Sequence, residues 1–433
     1  MQPLQSVTGM NDILPAESAR WRRLEQNWHE TCRRYGFGEV RTPLCEYTEL
    51  FVRSVGETTD IVEKEMYTFP DRNERSLTLR PEGTASAVRA YLHGAAGTEP
   101  LARWYYLGAM FRGERPQKGR YRQFHQVGAE VYGDAGPGVD AEVVDLAYRY
   151  VASLGVAKFE VRINSLGSGD TRTRYRDALV AYYGPMREKL SKESQRRLDT
   201  NPLRIVDSKS PEDVALRAGA PALTEHLADD DKRHFDAVLA ILDRMGTPVV
   251  IDPTIVRGLD YYTRTIFELK DTSGALGAQD TLGGGGRYDN LVEELGGRST
   301  PGIGFALGCE RLLIASTALD APIEPSAAII AIARAEDVAV QAEALSIARE
   351  LRTAGVTVHV DTRFGKADRQ FRHADRVGAR AGVVLGSAEI ANGTLGLKDL
   401  ARKEQRSIAR ADVVREVRAL LSSPTDVARG TAD

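Results

Sequence analysis

Residues 102–133 read ARWYYLGAMFRGERPQKGRYRQFHQVGAEVYG. Two runs rich in aromatic and β-branched residues flank the polar GERPQKGR, the pattern of an antiparallel strand pair joined by a polar loop. In the second run Arg122, Phe124, Gln126, Gly128 and Glu130 fall on one face, alternating with His125, Val127, Ala129 and Val131 on the other. A guanidinium, an amide and a carboxylate share the first face, and Arg112 ends the partner strand beside them. Such a face holds a small polar ligand, or it is a solvated face with a charge ladder; the stretch alone leaves both open.

Upstream, Trp21, Leu24, Trp28 and Cys32 recur at helical steps between Glu17 and Tyr35, and Gly36 and Gly38 end the run. EVRTPLCEY then reads as a short strand whose Pro43 implies a sheet edge or an interface. TLRPEGTA is a turn entering a helix, where Glu82 can hold an ammonium group or, with Thr84, cap the helix. Downstream, 140–154 is helical. The polar, arginine-rich block from Asp170 to Met245, broken by Pro185, Pro202, Pro211 and Pro221, reads as a largely helical insertion.

Strand character returns at TPVVIDPTIV and YYTRTIFEL. In RGLDYYTRTIFE, Arg257 precedes a strand on which Tyr261 and Tyr262 point to opposite faces, so simple alternation lets one of them enter a pocket; as packing residues both fit a core equally. The glycines at 283–286 permit close backbone approach to a ligand or a tight strand connection, and GGGGRYDN matches neither the dinucleotide nor the Walker fingerprint. PGIGFALGCERLLI runs from strand to helix with Arg311 in the first helical turn, suited to an anion or to a buried pair with a glutamate.

From Ala327 strands alternate with helices: AAIIAIA, a helix at 336–354, VTVHVD, a helix at 366–379, AGVVLG, strands near 394–409 and a helix at 411–422. This order implies an independent domain with a mainly parallel sheet. Arg369, Arg372, Arg376 and Arg380 recur at three- and four-residue steps as one basic stripe, either an RNA-backbone contact or a solvated helix face. Residues 327–433 hold 17 Lys and Arg against 14 Asp and Glu, a net +3 that leaves −6 on the rest.

The whole chain, 433 residues with a formal charge of −3, has no global pull toward polyanions, so any such site is local. Its three cysteines form no C-x-x-C pair, which fits a reducing compartment. MQPLQSVTGMNDILP lacks a basic-then-apolar leader and no apolar run approaches a membrane span, so the expected location is cytoplasmic with no membrane partner. No zinc-hydrolase, serine-elbow or cysteine–histidine signature points to covalent or metal-cluster chemistry.

In order along the chain these segments resemble the histidyl-tRNA synthetase family of class II aminoacyl-tRNA synthetases. GMNDILP and GFGEVRTPL resemble the family's start and motif 1, FRGERPQKGRYRQFHQVGAEVYG resembles motif 2, and PGIGFALGCERLLI resembles motif 3. RGLDYYTRTIFE and GGGGRYDNL resemble the two signatures peculiar to histidine enzymes, and LGSAEIANGTLGLKDL resembles the anticodon-binding domain. The resemblance implies an α+β catalytic domain over 1–325, with a mostly antiparallel sheet flanked by helices. It also implies a mostly helical insertion at 170–248 and a C-terminal α/β anticodon-binding domain at 326–425, while the tail within SSPTDVARGTAD, 426–433, reads as disordered from its own sequence.

It further implies activation of L-histidine by ATP, accompanied by Mg²⁺, to histidyl-adenylate and pyrophosphate, then transfer to the 3′ end of histidine tRNA by a homodimer. Glu82, Gly83 and Thr84 would hold the ammonium group, while Gln126, Glu130, Tyr261 and Tyr262 would line the amino-acid pocket. Both tyrosines can serve there only if a twist or bulge breaks the alternation. Arg112 and Arg311 would grip the ATP phosphates and Arg257 would stand beside the α-phosphate, with no dedicated metal cluster. Gln117 and Arg120 in the motif 2 loop would meet the acceptor end of the tRNA, the insertion its acceptor arm, and Arg369, Arg372 and Arg376 the anticodon region. The competing resemblance is to regulatory paralogues that partner ATP phosphoribosyltransferase; these lack the C-terminal domain and erode the ATP residues, whereas this chain has Arg112, Arg257, Arg311 and the domain. A class II synthetase for another amino acid would not carry RGLDYY.

Overall fold

A proline at its first position starts helix α1 (Pro15–Arg34), which buries Trp21, Leu24, Trp28 and Cys32 along one stripe. The computed structural model describes residues 4–56, 59, 61–256, 261–277, 279–320, 325–334 and 336–423. They divide into two compact units, Met1–Asp320 and Ala321–Asp433.

The EVRTPLCEY stretch, read as one strand, splits between two sheets. β1 (Gly38–Glu39) joins the edge of a large sheet, and β2 (Cys45–Tyr47) pairs with β4 (Ser76–Leu79), which also pairs with β3 (Tyr67–Pro70). Pro43, with no N–H to donate, lies in the break. Helix α2 (Thr48–Val55) follows β2, and α3 (Thr84–Gly94) follows β4. The hairpin β5 (Ala102–Phe111) and β6 (Gln123–Tyr132) is paired without interruption from Ala102↔Tyr132 to Phe111↔Gln123. Helix α4 (Pro137–Ser153) and β7 (Phe159–Ser165) follow; β7 is a strand for which the sequence reading had no expectation.

Between Asp170 and Met245 the chain forms α5 (Asp170–Tyr183), α6 (Lys192–Thr200), α7 (Leu203–Val206), α8 (Pro211–Arg217) and α9 (Asp229–Met245). It then returns as β8 (Val250–Ile251), β9 (Thr263–Asp271), β10 (Thr281–Arg287), α10 (Leu291–Glu294), β11 (Gly302–Gly308) and α11 (Cys309–Ala315). The large sheet runs β1-β5-β6-β11-β10-β9-β7-β8, parallel at its two edge pairings and antiparallel at the pairings between.

One face of this sheet is the main core, where Val127, Ala129, Val131, Phe305 and Leu307 pack with Trp28 of α1 and Val143, Val144 and Leu146 of α4. The opposite face carries Gln126, Gly128 and Glu130 of β6, set against Gly308, Ala306 and Gly304 of β11 by the strand register. Small residues therefore line up beside the polar ones, which leaves room above that part of the sheet. Arg287 and Asp140, both wholly buried, form an ion pair that joins β10 to α4, and His234 of α9 meets the same carboxylate at 2.8 Å. Removing one partner of such a pair strands a buried charge, so the pair fixes the register of these elements more than it adds net stability.

In the second unit β12 (Ser326–Ala331), α12 (Val338–Thr353), β13 (Val358–Val360), α13 (Ala367–Arg376), β14 (Ala379–Leu385), α14 (Ser387–Ala391), β15 (Thr394–Asp399), β16 (Glu404–Ala409) and α15 (Val413–Ser422) follow in turn. Its sheet, β13-β12-β14-β15-β16, is not mainly parallel: β12 is parallel to both neighbours, whereas β14·β15 and β15·β16 are antiparallel. Full crossover helices α12 and α13 allow the parallel pairs, but the short α14 and the 400–403 turn return the chain antiparallel. Among the described residues no helix is long and apolar enough to cross a membrane.

Candidate active site

A cavity of about 340 Å³ opens on the small-residue face of the large sheet. Period-two alternation along β6 delivers Phe124 and Gln126 to its lining, while Gly284 of β10 and Ala306 and Gly308 of β11 keep it open. Glu82, Thr84, Arg112, Tyr261, Tyr262 and Arg311 all line the same cavity, so residues from five separate stretches of sequence converge there.

The cavity is rich in fixed cations. Arg112 donates through Nε to the Pro81 carbonyl at 2.9 Å and lies over the Phe124 ring at 5.3 Å. Arg311 donates to the Gly119 carbonyl at 2.9 Å and the Thr281 carbonyl at 2.6 Å, which fixes its fork without neutralising it. Burial, with repulsion from Arg120 and Arg112, pushes its pKa below the ordinary arginine value. A cation held against like charges in a dry site gains most from an anion. The glutamate beside it, Glu310, turns instead to His125, accepting from the backbone N–H at 2.9 Å and meeting Nδ1 at 3.0 Å.

The turn before α3 ties the carboxylates together. Glu82 accepts from the backbone N–H groups of Thr84 at 2.8 Å and Ala85 at 2.7 Å, so it caps the helix from a cavity-lining position. Burial raises its pKa against those hydrogen bonds. Gly83 is the N-cap residue between them. Thr84 in turn donates through Oγ1 to Glu130 at 2.8 Å.

Two expectations change here. Glu130, expected to line the pocket, lies beneath the lining with no exposed surface, because Gly304 opposite it leaves space for its carboxyl inside the sheet. It accepts from Thr84, from Tyr106 at 3.1 Å and from Tyr288 at 2.5 Å, and burial pushes its pKa up to about 8. Tyr261 and Tyr262, expected on opposite faces of a strand, both line the cavity with ring centroids 4.7 Å apart. They precede β9, which starts at Thr263, and the β9–β10 register slips between Ile266 and Thr263, so alternation does not govern them.

Arg257 lies outside the described residues. In the 113–120 loop Gln117 is exposed at a tight turn closed by its backbone bonds to Arg120, whereas the Arg120 side chain folds back into the cavity lining and pairs with Glu114. In the second unit Arg372 and Arg376 are exposed on α13. Arg369 is half-buried, paired with Asp361 at 3.4 Å and donating to the Phe364 carbonyl. Arg380 does not continue this stripe: α13 ends at Arg376, and Arg380 sits buried in β14, donating to Ser423. The hydroxyls of Tyr106 and Tyr288 around Glu130 were missed from sequence. A signal existed for the first, since Tyr106 stands opposite Gly128 across the hairpin.

The Gln126 carbonyl Oε1 is buried with no hydrogen-bond partner among the described residues. An acceptor left open in a polar cavity costs stability until a ligand N–H fills it. Gln126→Met is therefore expected to leave folding unchanged or raise it by up to ~1 kcal/mol, while weakening amino-acid binding about tenfold. Urea unfolding and ligand titration check this; a loss above about 2 kcal/mol would make the glutamine a structural element instead.

The family model described as histidyl-tRNA synthetase matches residues 9–312, and the one described as anticodon binding domain matches residues 326–420. A protein of Sorangium cellulosum named histidine–tRNA ligase is 51% identical over 406 residues, covering 94% of each chain. The crystal structure of apo histidyl-tRNA synthetase from S. aureus superposes with a TM-score of 0.78 at 36% identity, over 96% of this chain and all of the other. That of histidyl-tRNA synthetase from Nostoc sp. PCC 7120, at 23% identity and a TM-score of 0.68 over 97% of this chain and all of the other, shares the fold.

Proposed function

This chain belongs to the histidyl-tRNA synthetase family, and on that premise we propose the division of labour by which its residues join histidine to tRNA. It is an ATP-dependent aminoacyl-tRNA ligase for histidine. The observation that carries the residue assignments is the single cavity in which Arg112 and Arg311 share walls with Glu82, Thr84, Gln126 and the tyrosine pair. An anionic nucleotide and a zwitterionic amino acid meet there with opposite groups facing each.

The histidine ammonium is held by Glu82, by Gln126 Oε1 and by Thr84, whose hydroxyl proton is committed to Glu130 so that its lone pairs face the ligand. Tyr261 and Tyr262 enclose the imidazole, and Glu130, beneath the lining, anchors the hydroxyls of Thr84, Tyr106 and Tyr288 that support the pocket from below. A ring with two nitrogens satisfies this polar set, whereas a side chain lacking them leaves buried groups unpaired. Arg112, Arg311 and Arg257 bind the ATP phosphates, and Phe124 offers an apolar plane for the purine. Mg²⁺ arriving with ATP needs one or two carboxylates beyond the phosphate oxygens; Glu114 and Glu310 on the cavity wall match that donor set. When bound it neutralises part of the phosphate charge.

In the first step a histidine carboxylate oxygen bonds to the α-phosphorus while the bond to the departing pyrophosphate breaks. No protein nucleophile is required, since positioning and cations lower the barrier. In the second step a hydroxyl of the tRNA's terminal ribose attacks the acyl carbon and AMP leaves. Gln117 at the exposed loop tip meets the acceptor end; Arg120, turned into the cavity, serves the nucleotide first. The catalytic domain is assigned to 1–325, and the insertion at 170–248 meets the acceptor arm. Arg369, Arg372 and Arg376 of the 326–425 domain meet the anticodon region. A homodimer forms through the motif 1 segment, which ends at the exposed Leu44, and the small sheet that follows it, where Tyr47 and Phe69 are exposed apolar residues. The working compartment is the cytoplasm. The test is charging: with ATP, Mg²⁺ and tRNA the protein is expected to form alkali-labile histidyl-tRNA. A folded protein that binds histidine but charges no tRNA would favour the regulatory reading.

A further inference from the structure

The tyrosine pair owes its placement to a residue that touches no ligand. Arg264 has φ of +43°, in the left-handed region that an arginine rarely adopts. On β10 one step separates Gly286 from Arg287, whereas their β9 partners are Ile266 and Thr263, so Arg264 and Thr265 are extra residues of a bulge just after Tyr262. Arg264 is held there from three directions: its N–H donates to the Gly167 carbonyl at 2.8 Å, its carbonyl accepts from the Leu166 N–H at 2.7 Å, and Nε donates to Asp231 at 3.0 Å.

Asp231 is built for this. It is 1% exposed in the first turn of α9 and also accepts from the Ser168 N–H and hydroxyl, each at 2.8 Å, and from the Thr171 hydroxyl at 3.0 Å. The other side of the bulge is tied to the same helix. His234, three residues on, meets Asp140, which pairs with Arg287; Arg287 holds Asp289 at 2.9 Å, and the Asp289 N–H donates to the Thr263 hydroxyl at 3.3 Å. Helix α9 thus grips both flanks of the distortion that turns the two tyrosines into the cavity.

We propose that Arg264, clasped by Asp231, is a positioning residue that sets the Tyr261–Tyr262 pair and thereby the enzyme's affinity for histidine. This rests on the amino-acid role given to the cavity above. Without the clasp the bulge relaxes toward a regular strand, alternation returns, and one tyrosine turns away. The nucleotide groups keep their places, since Arg112 follows the end of β5 and Arg311 belongs to α11.

The test is pyrophosphate exchange kinetics with Arg264→Gly, which tolerates the positive φ and so folds, and with Arg264→Lys, which keeps a cation opposite Asp231. Arg264→Gly is expected to raise the KM for histidine about tenfold or more while the KM for ATP stays within about twofold, and Arg264→Lys to recover part of the loss. An unchanged KM for histidine in Arg264→Gly, a parallel rise in both KM values, or no recovery by lysine would overturn the proposal. A parent protein without histidine-dependent exchange would instead bring down the activity on which it rests.

Discussion

Gly304→Ala is expected to abolish histidine activation and to lower folding stability by about 3 kcal/mol or more. An alanine Cβ there would lie 1.7 Å from Glu130 Oε2 and 2.5 Å from the Ala129 carbonyl oxygen, closer than atoms approach. Neither neighbour can yield cheaply. The carbonyl belongs to the paired backbone of β6, and the carboxyl is held by the hydroxyls of Thr84, Tyr106 and Tyr288. Moving it would uncouple Thr84 from its orienting partner and leave hydroxyls buried without acceptors. Gly138, in the first turn of α4 with nothing within 4 Å of an added Cβ, is the matching control and is expected to accept alanine without loss. Urea unfolding with exchange assays on both variants decides it; a Gly304→Ala protein as stable and active as its parent would show that the space beneath the cavity is not needed.

The second large effect is a pH dependence centred on Glu130. Burial raises its folded pKa from 4.5 to about 8, so between those values the folded protein keeps a proton that the unfolded chain has released. Stability from this group is therefore fully present below pH 4.5 and is lost as pH rises toward 8. Glu130→Gln, which cannot ionise, is expected to flatten that decline. It should also weaken histidine use by about 10–100-fold, equivalent to ~1–3 kcal/mol, because the amide NH2 can accept from none of the surrounding hydroxyls, whereas the hydroxyl oxygen of the neutral carboxyl can. Unfolding curves measured from pH 5 to 8 on parent and variant, with KM for histidine, test both parts. Parallel pH profiles for the two proteins would mean that Glu130 is already ionised in the fold.

What was legible in the sequence was what local periodicity encodes. The alternation along 122–130 placed Phe124 and Gln126 on the cavity side, and the stripe of Trp21, Leu24, Trp28 and Cys32 placed α1 against the core. What could not be read depends on partners distant in the chain. Glu130 goes under the floor rather than onto it because Gly304, far along the chain, faces it from β11. Both tyrosines reach the cavity because a bulge at Arg264, gripped from α9, interrupts the alternation that a strand pattern assumes. Arg380 left the basic stripe because α13 stops at Arg376 and the next strand captures it, a boundary that arginine spacing does not mark. Arg120, expected with Gln117 at the acceptor end of the tRNA, is drawn inward by Glu114 of the same loop, a pairing that loop polarity does not mark.

A cavity lined in this way is expected to activate histidine and no other amino acid. Amino-acid-dependent exchange of pyrophosphate into ATP, run on the purified protein with each of the twenty standard amino acids, tests it most directly. Exchange with histidine alone is the predicted result. Exchange driven by a different amino acid, or none from a folded protein that still binds histidine, would contradict it.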